Sequence, residues 1–446
     1  MTCNGTIPLT LKTIHGQFEF KVQRFIEETS GTKQDVTYFD LTEQFQEDYI
    51  SNRLKEFSAY YSNRLSYEEV ARLIERATGS RQLSDQKIRQ IVVDKVVTVS
   101  QATRVEVEEL LQDKTQPFPK VQDKLDIYDG QSREILVFED AIQVRGQKGN
   151  RQRKQLVSKK SEAPDKTQAA DETQAADETQ APDEAQAADE TQAQDETQAQ
   201  DEAQAQDKIK PKKTPAIPTE VVMLEKKQGG FEYITAMIDD QGNEQVPLPE
   251  MIKSRVLQEY KEESQPLPVV AITDGAKKIR QDLLMVFGVT LIIILDWYHL
   301  GKRVRELMSM IALTKEDKRK HLKFIFYHLW RGQVQTVVDY LKTEVNAKNE
   351  DKLEELVNYL DKHRDEIIDY RRRKQAGKPI GNGYVEKGCD QVIGHRQKKK
   401  GMSWRKVGSR SLGILKVVEL NNRWEELWFP KEAANDPSPL RLASNL

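Results

Sequence analysis

Four acidic residues and one histidine stand where side chains can do chemistry: Asp140, Asp274, Asp296, His299 and Glu386. Asp274 ends the apolar run Val269–Thr273, Asp296 ends Val289–Leu295, and His299 follows Asp296 by three positions. Asp140 follows ILVFE, and Glu386 lies in GNGYVEKG. Carboxylates only accept hydrogen bonds, so three brought together repel one another unless a divalent cation is bound. Hard oxygen ligands without a Cys or His cluster suit magnesium or manganese rather than zinc. Two such ions about 4 Å apart activate water or a 3′ hydroxyl and stabilise the leaving oxygen of a phosphodiester. Each acid also has a plainer reading. Asp-Gly after a strand is ordinary turn chemistry, an Asp before a helix is an N-cap, and Asp140 alone is an edge-strand aspartate facing water.

The elements that must position these residues decide between the readings. Short β-branched runs bounded by polar residues read as strands buried on both faces of a sheet. Between Val269–Thr273 and Val289–Leu295, the residues Ile279, Leu283 and Val286 recur at helical spacing, so the unit is strand, helix, strand. Side chains at the carboxyl ends of such strands sit where ligands bind. Upstream, Ile135–Phe138 is a strand whose alternation resumes at Ile142 and Val144, and Glu220–Leu224 and Phe231–Met237 are two more, joined by Gly229-Gly230. A helix is expected over Val246–Tyr260 and another over Tyr298–Ile311. Thr314–Arg373 is helical and heavily charged, and Gly381 and Gly383 introduce a last helix containing Val385, Glu386 and Val392. Three strands, helix, strand, helix, strand, helical insertion and final helix is the ribonuclease H-like order. The expected fold is therefore α/β, a ribonuclease H-like mixed sheet flanked by helices, with Asp140, Asp274 and Glu386 on its first strand, fourth strand and last helix.

Composition hides an asymmetry of charge. The 446 residues carry a net charge of −3, yet Ser161–Asp207 holds 15 acidic residues against one lysine, a local −14, leaving +11 on the remainder. A basic folded part is what a nucleic-acid partner leads one to expect. From Asp165 to Gln206 the chain is a hexapeptide array of the type DETQAA. It has almost nothing apolar beyond alanine, so it is expected to be disordered, and it lacks the hydrophobic position a solenoid needs. Cys3 and Cys389 have no metal spacing and fit a reducing compartment. No signal peptide and no membrane span are expected, which places the chain in the cytoplasm.

Two stretches carry the expected DNA contacts. Ile7–Ile14 and Phe18–Phe25 alternate as a β-hairpin, Asp40–Phe57 reads as an amphipathic helix, and two further helices follow. The first of these has Ser66 and Glu69 as a capping box and ends at Gly79, and the second is capped by Ser84. Joined by a Gly-containing turn, with Arg81, Lys87 and Arg89 around the second, they resemble a helix-turn-helix. Pro117 and Pro119 mark the boundary that follows. Near the C-terminus His395, Arg396, Lys398, Lys399, Lys400, Arg405, Lys406 and Arg410 surround Trp404, a mixture of basic and aromatic side chains suited to phosphate backbone with base or sugar contact.

Three segments in order, ITDGAKKI, LDWYHL and GYVEKGCDQVIGHRQKKKGMSW, resemble the core of bacterial insertion-sequence DDE transposases of the Mutator-like and Kra-type groups. The resemblance covers roughly Arg133–Trp428 outside the repeat array. It implies that Asp274 and Glu386 are the second and third catalytic carboxylates, that Asp296 and His299 match a D-x-x-H motif organising the site, and that VFEDAIQV carries the first acid. The family has Asp-Gly where Ala141 follows Asp140 here, and Glu139, Asp239 and Asp240 are alternatives for that role. It also implies two magnesium or manganese ions, double-stranded DNA as partner at element ends and target, a homo-oligomer, a nucleoid-associated setting, and cutting and joining of strands by hydrolysis and transesterification. Alternatives are a metal-dependent nuclease without strand transfer and an inactive, DNA-binding derivative. The expected division is residues 1–60 for hairpin and helix, 61–116 for the helix-turn-helix region, and 117–157 with 214–312 for the first part of the catalytic core. The repeat insert is 158–213, the helical insertion 313–375, the final helix and basic segment 376–428, and a flexible tail 429–446.

Overall fold

A computed structural model describes residues 2–29, 32–37, 49–113, 117–147, 215–399 and 401–430. The repeat array, Lys400 and the tail beyond residue 430 lie outside the described residues, as do residues 38–48 of the helix expected over Asp40–Phe57. At the N-terminus β1 (Thr2–Thr13), β2 (Gly16–Thr29) and β3 (Thr32–Thr37) form an antiparallel sheet, turning first at Gly16 with φ 129°. Then come α1 (Asn52–Ser62), α2 (Tyr67–Thr78) and α3 (Asp85–Gln112). The capping box closes as the sequence predicts. Ser66 Oγ accepts from Glu69 N–H (3.2 Å) and Glu69 Oε2 from Ser66 N–H (2.7 Å), while Gly79 ends α2 at φ 76°. The second helix of the expected short pair instead runs 28 residues. No Gly or Pro interrupts it, and its buried face continues through Ile88, Val92, Val96, Ser100 and Val107, so nothing local stops it.

The central sheet has five strands: β4 (Ile135–Arg145), β5 (Ala216–Glu225), β6 (Phe231–Ile234), β9 (Val269–Thr273) and β10 (Ile292–Leu295). Their spatial order is β10-β9-β4-β5-β6. β4, β9 and β10 are parallel, and β5 is antiparallel to both β4 and β6. Every residue of VVAIT in β9 is buried, with Val270, Ala271 and Ile272 at 0% exposure. Burial at roughly 1.5–3 kcal/mol per large aliphatic side chain makes this strand the anchor of the sheet. Two expectations shift in detail. Phe231–Met237 is not one strand, because the chain leaves the sheet after Ile234 and Met237–Ile238 (β7) pairs with Glu244–Val246 (β8) in a separate ribbon. The run Val289–Leu295 is strand only from Ile292, since Gly288 at φ 79° ends the preceding helix and throws Val289 into solvent at 94% exposure.

Helices cover the sheet: α4 (Leu248–Tyr260), α5 (Lys277–Phe287), α6 (Trp297–Ile311), then α7 (Lys315–Leu329), α8 (Val334–Glu344), α9 (Glu350–Lys362) and α10 (Tyr370–Gln375). The chain closes with α11 (Gly383–Cys389), a π-turn at Asp390–Gly394, α12 (His395–Gln397), α13 (Lys406–Leu420) and α14 (Trp424–Trp428). No helix among the described residues is long and apolar enough to cross a membrane. The loop that delivers α11 is tied down by Arg373, which is fully buried. Its guanidinium meets Glu134 through two bonds (3.0 and 2.7 Å) and reaches Pro379 O (2.7 Å) and Ile127 O (3.1 Å). A planar fork satisfied on all sides fixes a loop far better than a point charge would.

Candidate metal-binding site

Strand register places the three aspartates. Thr273 of β9 lies opposite both Glu139 of β4 and Leu295 of β10, so the residues one step further, Asp140, Asp274 and Asp296, form a row across three parallel strands at their carboxyl edge. Alternation along β4 sends Asp140 and Glu139 to opposite faces of the sheet. Asp140 shares the charge environment of Asp274, His299 and Glu386, whereas Glu139 feels chiefly Asp282, Glu220 and Lys278, with Asp274 a lesser influence and neither His299 nor Glu386 among its main ones. Asp140 is thus the strand-one acid facing Asp274 and Glu386. Asp239 lies in the β7–β8 turn, where its carboxylate accepts from Gln241 and Asn243 backbone N–H (2.9 and 2.7 Å), with Asp240 beside it.

Glu386 arrives from α11. Tyr384 packs its ring on Phe138 of β4 (centroids 5.5 Å) and on Phe231 (5.4 Å), holding the helix against the sheet. Gly388 lets it come close, since a Cβ there would stand 2.8 Å from Met223 Sδ. Gly275 serves the turn after Asp274. At φ 86°, with a Cβ that would meet Leu295 Cδ1 at 2.8 Å, the position accepts glycine only, and the turn is closed by Ala276 N–H donating to Asp274 Oδ1 (2.8 Å).

Asp296 performs both duties that its sequence position suggests. It caps α6, accepting from Tyr298 N–H (2.9 Å) and His299 N–H (3.3 Å), and it receives His299 Nδ1–H at 2.6 Å. That hydrogen bond holds the His299 imidazole above its ordinary pKa, with burial opposing it and the charges of Asp296, Asp274 and Glu386 reinforcing it. His299 Nδ1 also lies 3.8 Å from Glu386 Oε1. Burial pushes the Asp140 carboxyl up to about 6, the Asp274 and Glu386 charges adding to the rise while Ala141 N–H and His299 oppose it. At this edge the ligand atoms that lie within 4.8 Å of one another are those of Asp296, His299 and Glu386, with Asp140 and Asp274 on the adjoining strand ends.

The sequence reading did not single out Asn382. It is 1% exposed, and with its amide turned as its neighbours require it donates to Asp296 Oδ2 (2.9 Å) and Glu386 Oε1 (3.1 Å). Its signal in the sequence was only its place four residues ahead of Glu386, just before α11. Two tyrosines were also passed over as letters within motifs: Tyr298 is 66% exposed and Tyr384 is 54% exposed. Tyr298 adjoins the site, since a Cβ on Gly381 would lie 2.8 Å from its ring and 2.9 Å from Asp296 Oδ1.

The residues expected to meet DNA fall into two groups. Arg89, Arg396, Trp404 and Arg405 line one open cavity of about 690 Å³ between α2, the start of α3 and the basic segment. Within it Arg396 and Trp404 are largely spent on structure. Arg396 is 5% exposed, donates to Ser62 O (2.7 Å) and lies 4.8 Å from the Trp404 ring centre, and Trp404 donates its indole N–H to Gln397 O (3.0 Å). Trp404 N–H also reaches Arg145 O (2.9 Å), tying the basic segment to the end of β4. Arg81 pairs with Glu68 (2.7 Å), Lys87 lies on α3, and Lys398, Lys399 and Arg405 are exposed.

Residues 240–426 match the model of an uncharacterised protein family, UPF0236, a span that includes Asp274, Asp296, His299 and Glu386 and begins after Asp140. Comparison with curated proteins and with solved structures yields no match.

Proposed function

We propose that this chain is a DDE-type transposase that cuts and joins DNA strands on a ribonuclease H-like core. The observation that carries the reading is the row of Asp140 and Asp274 at the carboxyl edge of neighbouring parallel strands, with Glu386 brought to the same edge by α11. The strand order, with an antiparallel second strand and parallel first, fourth and fifth, supports the same reading. Asp140, Asp274 and Glu386 are the residues that would hold magnesium or manganese, which when bound supplies an activated water or 3′ hydroxyl and a stabilised leaving oxygen. The chain's own groups organise the rest. Asn382 holds the Glu386 carboxylate by a hydrogen bond, His299 stands 3.8 Å from it, and Asp296 orients the imidazole and favours its charged form. Tyr298 and Tyr384 offer exposed ring faces on which unpaired bases can stack beside the carboxylates. The basic remainder, with Arg89 and Arg405 lining the 690 Å³ cavity and Lys398 and Lys399 exposed, supplies phosphate contacts.

The test is cleavage of a supercoiled plasmid carrying the element's ends, with magnesium or manganese, comparing the native chain with Asp274→Asn and Glu386→Gln. Nicking and joining that need metal, and that both substitutions abolish, support a transposase. Cleavage without joined products would make the protein a nuclease. DNA binding without cleavage, indifferent to both substitutions, would leave a binding protein on an inherited fold.

A further inference from the structure

The face of the sheet away from Asp140 holds a second group of acids that the proposed chemistry does not use. Glu139 on β4 and Glu220 on β5 share that face, because Glu139 lies opposite Val222 and Ala141 opposite Glu220 in the antiparallel register. Asp282 comes down on them from α5. The carboxylate oxygens of the three lie within 4.8 Å of one another. Glu139 is 0% exposed, and among the described residues neither of its oxygens has a hydrogen-bond partner, nor does Asp282 Oδ2. A buried ionised carboxylate without a donor is costly, and the fold supplies no backbone N–H to meet it. Two cations stand nearby among the described residues, of which Arg410 lines the cavity beside Glu220 but is paired with Glu244 (3.4 Å). Lys278 pairs with Glu220 and comes to 3.5 Å of Asp282, but its side chain is 59% exposed and no hydrogen bond links it to Glu139. One ammonium against three carboxylates leaves the cluster short of positive charge.

We propose that Glu139, Glu220 and Asp282 bind a divalent metal ion on the back of the sheet, separate from the Asp140 face and independent of whether that face cuts DNA. The spacing suits it: the three carboxylates each offer an oxygen within 4.8 Å of the others, and ligands at roughly 2.3–2.6 Å from a calcium ion stand up to about 5 Å apart, while magnesium at about 2.1 Å would draw them in to about 4 Å. An all-carboxylate set takes magnesium, manganese or calcium rather than a soft metal. Lys278 then acts as a competitor that swings into solvent as the ion enters. A cavity of about 230 Å³ lined by Glu220, Lys278 and Thr219 adjoins the cluster and leaves room for the waters that complete the ion's shell. An ion here would bridge β4, β5 and α5, stiffening the strand whose next residue is Asp140.

The experiment counts tightly bound manganese on the full chain by equilibrium dialysis with paramagnetic resonance. It uses the Asp274→Asn/Glu386→Gln background, so that the opposite face is silenced while the acidic array is present in every arm. One equivalent should bind in that background. Adding Glu139→Gln should remove it, and adding Asp282→Asn should weaken it on the order of tenfold or more. Lys278→Ala should bind at least as tightly as the background. Both acid substitutions relieve buried negative charge, so folding, checked by thermal melting, should survive them. No equivalent in the background, or an equal count with and without the Glu139 carboxylate, would overturn the proposal.

Discussion

Glu139 and Asp140 are neighbours on one strand and live in opposite worlds. Asp140 looks onto an edge where acids are served by donors: Asp296 receives two backbone N–H groups, the His299 ring and Asn382, and Glu386 receives Asn382 while half its side chain meets solvent. Glu139 looks onto an interior where its oxygens find no hydrogen-bond donor among the described residues, and burial drives its carboxyl well above the ordinary pKa. Asp296 is as deeply buried as Glu139 at 0% exposure, so depth alone is not what separates them. The difference is hydrogen-bond supply, which decides whether a buried acid orders its surroundings or waits for a proton or an ion.

The largest expected effect sets the faces apart by activity. Asp274→Asn and Glu386→Gln should lower strand cleavage by on the order of 10³-fold or more, about 4 kcal/mol of barrier, and Glu139→Gln by less than about tenfold, or 1.4 kcal/mol. Comparable losses from all three, read from initial rates on one plasmid substrate, would mean that the two faces work as one site.

Next in size is stability against pH without metal. The Asp140 carboxyl, raised from 3.8 to about 6, favours the folded state below pH 3.8, and that contribution is lost as pH rises through about 6. Asp140→Asn should therefore stabilise the metal-free protein at pH 8 by up to about 3 kcal/mol, shrinking to nothing below pH 4. Denaturant midpoints at the two pH values measure it, and millimolar manganese should erase or reverse the gain.

Much of this could be read from the chain alone, and the reason is that the legible parts are local. VVAIT and IIIL announce buried strands by composition, Ser66 with Glu69 announces a helix start, and Asp296 announces its cap by preceding the α6 pattern. What escaped notice depends on residues far apart in sequence. Asn382 matters because it bridges Asp296 and Glu386, and the grouping around Glu139, read only as an alternative first acid, exists because Glu220 and Asp282 arrive from β5 and α5. The β7–β8 ribbon was hidden for a subtler reason: Met237 and Ile238 continue the apolar run of β6, and only the Asp239 turn separates them. Trp404, read as a base-stacking ring, instead spends its indole N–H inside the fold.

A smaller effect probes the donor that serves two acids. Asn382→Leu keeps the branched shape at a somewhat larger volume and removes both bonds, leaving buried Asp296 one donor short, and should cost about 1–3 kcal/mol. Cleavage should fall with it, since Glu386 loses its orientation. Unchanged stability together with unchanged cleavage would mean that the two carboxylates do not share this amide.

The smallest effect concerns His299, and its sign follows from the direction of the shift. The imidazole is held above its ordinary 6.5 by the hydrogen bond to Asp296, so the stability it contributes is complete below pH 6.5 and is lost as pH rises through the higher, folded value. With about a third of the side chain in solvent, screening limits the pair to about 1 kcal/mol. His299→Asn should therefore cost most near pH 6 and little at pH 9, and the His299 ring resonance should titrate above 6.5 in the native chain. In Asp296→Asn the same resonance should move down, because the partner that favours the charged ring has gone while burial, which disfavours it, remains. A ring that still titrates high in that variant would transfer the credit to Asp274 and Glu386, and the donor-rich face would then owe its order to the cluster of acids rather than to the Asp296 pair.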